Sequence, residues 1–184
     1  MRVRRVVTGQ TATGKSVFVS DEQVEPTTLR LIPGAEFHRM WGSDEPVALP
    51  TDGAMPGSPS YFPPASGFRF AFFTLGPDDV TMPPDLDIPA ALQELAEKLP
   101  GLGEAMEPAN PGMHTTDTVD FDVVISGEVW LELDDGAEVR LTAGDCVVQN
   151  GTRHRWRNRT SEPCVIAVAL LGTTRAGEGG QRTL

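Results

Sequence analysis

Apolar and polar positions along this chain alternate far more often than they recur at helical spacing. Runs of apolar and β-branched residues, many with a period of two, occupy 68–75 (FRFAFFTL), 118–126 (TVDFDVVIS), 128–133 (EVWLEL), 137–141 (AEVRL), 145–149 (DCVVQ), 152–157 (TRHRWR) and 164–171 (CVIAVALL). Gly127, Asp134–Asp135–Gly136, Thr142–Ala143–Gly144, Asn150–Gly151 and Asn158 punctuate the later runs as turn signals. Strands at intervals of roughly 8 to 12 residues predict an antiparallel barrel or sandwich of the jelly-roll kind. One segment breaks the pattern. DIPAALQELAEKLPG (87–101) predicts a helix, with Asp87 as N-cap, Pro89 in the first turn and Pro100–Gly101 as stop. Leu92, Leu95, Ala96 and Leu99 recur at helical spacing, so that face is expected to pack on a sheet.

Between the first strands and the helix, residues 41–67 are dense in Pro, Gly and Ser. They predict an irregular excursion lying over the fold, anchored by Trp41, Tyr61 and Phe62. The reading is a single domain over 1–184: strands, excursion and helix in 1–110, the chemistry-bearing strands in 111–172, and a flexible tail at 173–184.

The best match to a short motif lies near the start. GQTATGKS, from Gly9 to its last residue Ser16, fits the G-x-x-x-x-G-K-S of a phosphate-binding loop. That loop must open a helix, whose N-terminal N–H groups hold the phosphates. Here the chain continues instead as SVFVSDEQVEP, β-branched and aromatic in its first residues and broken by Pro26. The stretch is therefore expected to be a hairpin turn, and the match a decoy.

Composition narrows the possibilities. Lys and Arg number 15 against 26 Asp and Glu, a formal net charge of −11. A nucleic-acid binder needs a basic face, so that class is set aside. The longest apolar run, at 164–171, is too short to span a bilayer and no apolar leader comes after the early arginines, so a cytoplasmic protein without a membrane role is expected. Cys146 and Cys164 lie in strand-like runs and read as free thiols; a disulfide between them is not demanded by their spacing.

Two strand regions carry polar residues that a plain barrel would not place there. His114, Thr116, Thr118, Asp120 and Asp122 share one parity, hence one face. Further on, His154, Trp156 and Asn158 share a face, with Arg153, Arg155, Arg157 and Arg159 on the other. Two strands that each bring a histidine into a barrel, one with a carboxylate, make a metal-site arrangement. The arginines are expected to pair with the surplus carboxylates, within the chain or across a dimer interface. His38 is far from both regions and reads as structural or exposed, and Asp117, of opposite parity, as a surface acid.

These two stretches resemble the paired motifs of the cupin superfamily, G-x5-H-x-H-x3-4-E-x6-G and G-x5-P-x-G-x2-H-x3-N. His114 stands at the first histidine, Thr116 at the second, Asp120 at the glutamate, and Gly127 closes the first motif. Gly144 opens the second, Asn150–Gly151 replaces P-x-G one residue short, and His154 and Asn158 complete it. The first motif is also similar to that of small single-domain (monocupin) proteins reading H-x-T-D-T-x-D. The resemblance implies a mainly β jelly-roll barrel and one divalent metal, Fe, Mn, Ni, Co, Cu or Zn, on His114, Asp120 and His154. A barrel that has lost its metal and uses these residues as pocket lining is the alternative. Asp122 is either a catalytic base or spare ligand beside the metal, or is turned to solvent by a β-bulge. Thr116, Thr118, Gln149 and Trp156 are the candidate substrate-pocket residues, Trp156 equally a core residue. The implied function is a metal-dependent enzyme acting on a small organic molecule by dioxygenase, decarboxylase or lyase, isomerase or polyketide cyclase-type chemistry. A small-molecule-binding barrel without catalysis is the other class, and a homodimer formed through edge strands is expected.

Overall fold

The structure, a computed structural model, describes residues 1–176. The part of the expected tail from 177 onward lies outside the described residues. Alternation builds the strands β1 (Val3–Gln10), β2 (Ser16–Val24), β3 (Glu36–Ser43) and β4 (Phe68–Leu75). Then come α1 (Ile88–Lys98) and a one-turn α2 (Leu102–Ala105), and the strands β5 (Thr118–Ser126), β6 (Glu128–Glu132), β7 (Glu138–Thr142), β8 (Cys146–Asn150), β9 (Arg155–Arg157) and β10 (Cys164–Gly172). β1 and β2 form a hairpin of their own, and the remainder divides into a five-stranded sheet, β3-β4-β10-β5-β8, and a three-stranded one, β7-β6-β9.

The two larger sheets face each other. Val124 and Ile166 of the five-stranded sheet pack with Val129, Leu131 and Leu141 of the three-stranded one in a single buried cluster. Burying these side chains against each other is what drives the sheets together. Gly127 joins β5 to β6 at φ +78°, and a Cβ there would stand 2.6 Å from the Pro163 carbonyl oxygen. The corner between the sheets therefore requires glycine.

Helix α1 caps an end of the barrel. Asp87 accepts from the Ala90 N–H as N-cap, and Leu95 and Leu99 join Leu29, Phe37 and Leu102 in a second cluster with Tyr61 and Phe62 packed against it. The buried stripe runs Ala91, Leu95, Leu99, while Leu92 and Ala96 are exposed. The helix meets the end of the barrel along a narrow seam, and the wider face expected from the spacing is half solvated. Tyr61 and Phe62 anchor the excursion as expected, whereas Trp41 belongs to β3.

GQTATGKS is the hairpin turn between β1 and β2. The Thr11 N–H bonds the Lys15 carbonyl, the Gly14 N–H bonds the Thr11 carbonyl, and the Lys15 N–H bonds Thr11 Oγ1. With these N–H groups turned inward and a strand coming next, the loop has nothing to cradle a phosphate. Both cysteines are free, Cys146 exposed and Cys164 buried. Among the described residues, no helix is long and apolar enough to cross a membrane.

Candidate functional site

Strand alternation aims the polar set. In β5, Thr118, Asp120, Asp122 and Val124 are buried while Phe121 is exposed. Asp122 thus faces the interior, and the solvent-facing alternative is excluded. Gln149 of β8 stands opposite Asp120, and Leu170 of β10 flanks Asp120 on its other side.

The two histidines come from the segments that lead into β5 and β9. The His114 N–H bonds the His154 carbonyl at 2.9 Å and the reverse bond is 3.0 Å, an isolated antiparallel bridge. Gly151 makes that approach possible: at φ +57°, a Cβ there would come within 2.9 Å of the Thr116 carbonyl oxygen. Arg175 clasps the same place, donating to the carbonyls of Thr116 and Gly151 and pairing with Asp117. The imidazole centroids lie 4.2 Å apart. His114 Nδ1 is 3.0 Å from the Gly112 carbonyl oxygen, and His154 Nδ1 is 2.9 Å from that of Thr152. A carbonyl oxygen only accepts, so each Nδ1 carries the proton and each Nε2 presents a lone pair. Metal-ligating imidazoles are commonly oriented by this arrangement.

Burial sets the charges. It lowers the basicity of His154 to about 4, helped by neighbouring His114, and lowers that of His114 against a weaker opposing effect of the Gly112 carbonyl. Both rings are neutral near pH 7. Burial pushes the Asp120 carboxyl up to about 6, with partial relief from the Thr118 hydroxyl. Asp122 is pushed up to about 7, first by burial and then by Asp120. Asp120 Oδ1 is enclosed with no hydrogen-bond partner. Two free imidazole nitrogens and a desolvated carboxylate oxygen form a donor set that suits a divalent cation or a proton. Among the described residues, however, no three His, Cys, Asp or Glu side chains converge as a group that could hold a metal ion. The histidine pair is assembled, and Asp120 shares the inner face without closing on it.

The remaining sequence candidates divide. Thr116 and Thr118, both buried, are joined Oγ1 to Oγ1 at 2.8 Å. Gln149 is buried and its amide nitrogen bonds Thr152, holding the loop that leads to His154. Trp156 packs against the inter-sheet cluster and sits edge-on to His154 at 6.0 Å. Asn158, at the end of the second motif, is fully buried; its amide donates to the Leu75 and Glu162 carbonyls and its Oδ1 accepts from Thr160. It is a loop clamp. Each arginine of the stripe pairs within the chain: Arg153 with Glu107 and Asp134, Arg155 with Glu132, Arg157 with Asp78 and Arg159 with Glu138. His38 is buried, on the face of β3 opposite Phe37, and both its ring nitrogens lack partners.

Sequence reasoning passed over Arg39, Arg69 and Tyr61. Arg39 and Arg69 lie on the inner face of the five-stranded sheet: Arg69 is in register with Leu170, and Arg39 with Ala71, which pairs with Val168 beside Asp122. Tyr61 is close enough to Asp120 and Asp122 for their charges, after burial, to raise its pKa. The parity of Arg39 within EFHRMWGS was the available signal.

Residues 104–170 match the family model described as "Cupin domain". Phomopsin biosynthesis cluster protein C' of Diaporthe leptostromiformis is 38% identical over 82 residues, 44% of this chain and 40% of that protein. Oryzines biosynthesis cluster protein J of Aspergillus oryzae is 52% identical over 48 residues, 26% of this chain and 27% of that protein. The matched region thus spans less than half the length of these curated relatives. Among solved structures, a sugar phosphate isomerase of the cupin superfamily from Silicibacter pomeroyi has a TM-score of 0.42 at 18% identity, covering 83% of this chain and 71% of that one. A cupin 2 conserved barrel domain protein from Salinispora arenicola has a TM-score of 0.39 at 16% identity, covering 78% and 81%.

Proposed function

We propose that this chain, which carries a cupin domain over residues 104–170, is a cytoplasmic barrel enzyme of small-molecule metabolism that binds one divalent metal through His114, His154 and Asp120. The observation that carries the reading is the histidine pair: two neutral imidazoles, both Nδ1 atoms committed to backbone carbonyls and both Nε2 atoms available, in a fold whose inner face also carries an unpartnered buried carboxylate oxygen on Asp120. A cation relieves both the orphaned oxygen and the raised pKa values of Asp120 and Asp122. When bound, it supplies Lewis acidity at the floor of the barrel. Asp122 is the proton acceptor of the site: it is a second buried carboxylate on the same strand face as Asp120, and a bound cation favours its ionised, proton-accepting form. The relatives from phomopsin and oryzine biosynthesis clusters favour a small organic substrate.

The second reading is a metal-free barrel that binds its ligand without turnover. It is favoured by the absence, among the described residues, of a converged group of three ligands. Melting the chelator-treated protein with and without Mn²⁺, Ni²⁺, Co²⁺ or Zn²⁺ separates the two. A rise in Tm of several degrees with at least one ion, absent from His154→Ala, supports the first; no rise with any ion supports the second.

For the oligomer we propose a homodimer. Phe70, Ala169, Phe121 and Val148 stand in one cross-strand row on the outer face of the five-stranded sheet, and the three larger ones are 40%, 47% and 57% exposed. An apolar, uncharged row on a chain with net charge −11 suits a second copy of the same face. Light scattering at the monomer mass contradicts it.

A further inference from the structure

A cavity of about 420 Å³ lies between the excursion and the inner face of the five-stranded sheet. Three of its lining residues are arginines, Arg5, Arg39 and Arg69, and Met55, Ala71 and Leu170 give it apolar walls. Internal guanidinium groups need anions or carbonyls around them. Their partners differ in a way that singles one out.

Arg69 is fully engaged. Its Nε bonds the Ser60 carbonyl, its Nη1 the Ser43 and Phe68 carbonyls, and its Nη2 the Asp44 carboxylate. Arg5 gives Nη1 to the Met40 carbonyl and Nη2 to Glu22; its Nε has no partner but is enclosed, out of reach of a ligand in the open cavity. Arg39 uses Nη2 alone, on the Ser58 and Ser60 carbonyls. Its Nε and Nη1 have no partner among the described residues, and neither is one of the enclosed unpartnered atoms, so they reach open space. Arg5 and Arg69 each have a carboxylate in an ion pair; among the described residues Arg39 has none. Burial first and the neighbouring Arg69 next work against its charge, and the weaker opposing effects of Tyr61 and Asp44 do not offset them.

The cavity adjoins the site already described. Leu170 of its wall lies between Asp120 and Arg69 in register, and Arg39 is three strands from Asp122 along the row Arg39, Ala71, Val168, Asp122. At about 4.8 Å per strand this separates the two backbone positions by roughly 14 Å, with both side chains on the same face of the sheet. Tyr61 lines the cavity and stands between the two groups of charges.

We propose that Arg39 receives the carboxylate of an apolar organic acid of about one ring's size, whose body lies along Leu170 and Tyr61 and whose other end points toward Asp122 and the histidine pair. This rests on the small-molecule reading above and narrows its substrate class. A carboxylate matches the two free N–H groups, which project in the forked geometry of a guanidinium. It also supplies the missing counter-ion to a half-buried guanidinium. Alcohols and amides of the same shape offer no charge and are rejected.

Calorimetric titration of the full chain with phenylacetate and with its neutral counterpart phenylacetamide tests this. Phenylacetate is expected to bind at least tenfold more tightly than the amide. Arg39→Gln is expected to remove at least tenfold of the phenylacetate affinity while leaving the amide unchanged. Arg39→Lys, which keeps the charge and can still reach the Ser58 and Ser60 carbonyls, is expected to retain part of the preference, and its melting curve reports whether the loop stays in place. Arg5→Gln, which removes an arginine already paired, is expected to cost less than threefold. Equal affinity for acid and amide, no measurable binding of phenylacetate, or unchanged phenylacetate affinity in Arg39→Gln overturns the proposal. A Mn²⁺ titration of the same samples keeps the two readings apart: metal binding without acid preference removes the Arg39 subsite alone, and loss of both removes the small-molecule site with it.

Discussion

His114 and His154 face each other at 4.2 Å, each ring fixed by its Nδ1 on the carbonyl two residues upstream. The geometry fixes the tautomer as well as the position. Long-range ¹H–¹⁵N spectra of metal-free protein are expected to show Nδ1–H for both rings at pH 7. His154 is expected to remain neutral until about pH 4. Titration near the ordinary histidine value contradicts the burial argument.

Asp122 is costly to the metal-free fold. Its folded pKa, about 7, lies above its ordinary 3.8, so the folded state binds the proton more tightly than the unfolded one. The stability this confers is fully present below about pH 4 and is lost as pH rises through about 7. Asp122→Asn in chelator-treated protein is therefore expected to stabilise the fold at pH 8 by about 2 kcal/mol, a gain that shrinks toward zero near pH 4. Urea unfolding at pH 8, 6 and 4.5 measures it; a gain independent of pH is the opposing outcome.

Asn158 belongs to the motif without belonging to the chemistry. Asn158→Ala removes two donated bonds, to the Leu75 and Glu162 carbonyls, and two accepted from Thr160, all at a fully buried position. The expected cost is about 3 kcal/mol by denaturant unfolding. Metal affinity of the folded variant should stay within threefold of wild type.

The hairpin turn at 11–15 is expected to bind no phosphate. Addition of Mg²⁺ and ATP should leave the Tm unchanged, and Lys15→Ala should alter neither stability nor activity. A nucleotide-dependent rise in Tm that Lys15→Ala abolishes would restore the phosphate-loop reading.

Much of the barrel could be read from alternation alone, because β5 and β6 bury one parity and the strands of 118–172 turn at Gly, Asn or Asp, although β9 is half-buried throughout and β10 starts with three buried residues in a row. The inward set His114, Thr116, Thr118, Asp120 and Asp122 came from the same rule. The direction of Asp122 did not, since a bulge is a property of a strand pair. The irregularity in this region lies between Val165 and Ile166, opposite Ser126 and Val124 and beyond Asp122. Likewise the partners of Arg155 and Arg159 depend on β6 lying between β7 and β9, a strand order that the sequence does not state. Arg39 escaped notice for a related reason: its place on the inner face depends on β3 pairing with β4 around a bulge between Arg39 and Trp41. The helix buries a narrower face than its spacing suggests: Leu95 and Leu99 pack with Phe37 of β3 and Phe73 of β4, while Leu92 and Ala96 stay exposed.

On the proposed reading, the histidine pair and Asp120 hold a metal ion. Element-resolved metal analysis of protein purified without chelator or added metal, with His154→Ala prepared in parallel, tests it most directly. The account predicts close to one divalent ion per chain in wild type and a loss of at least tenfold in the variant. Trace amounts of every divalent metal, the same in both proteins, would contradict it.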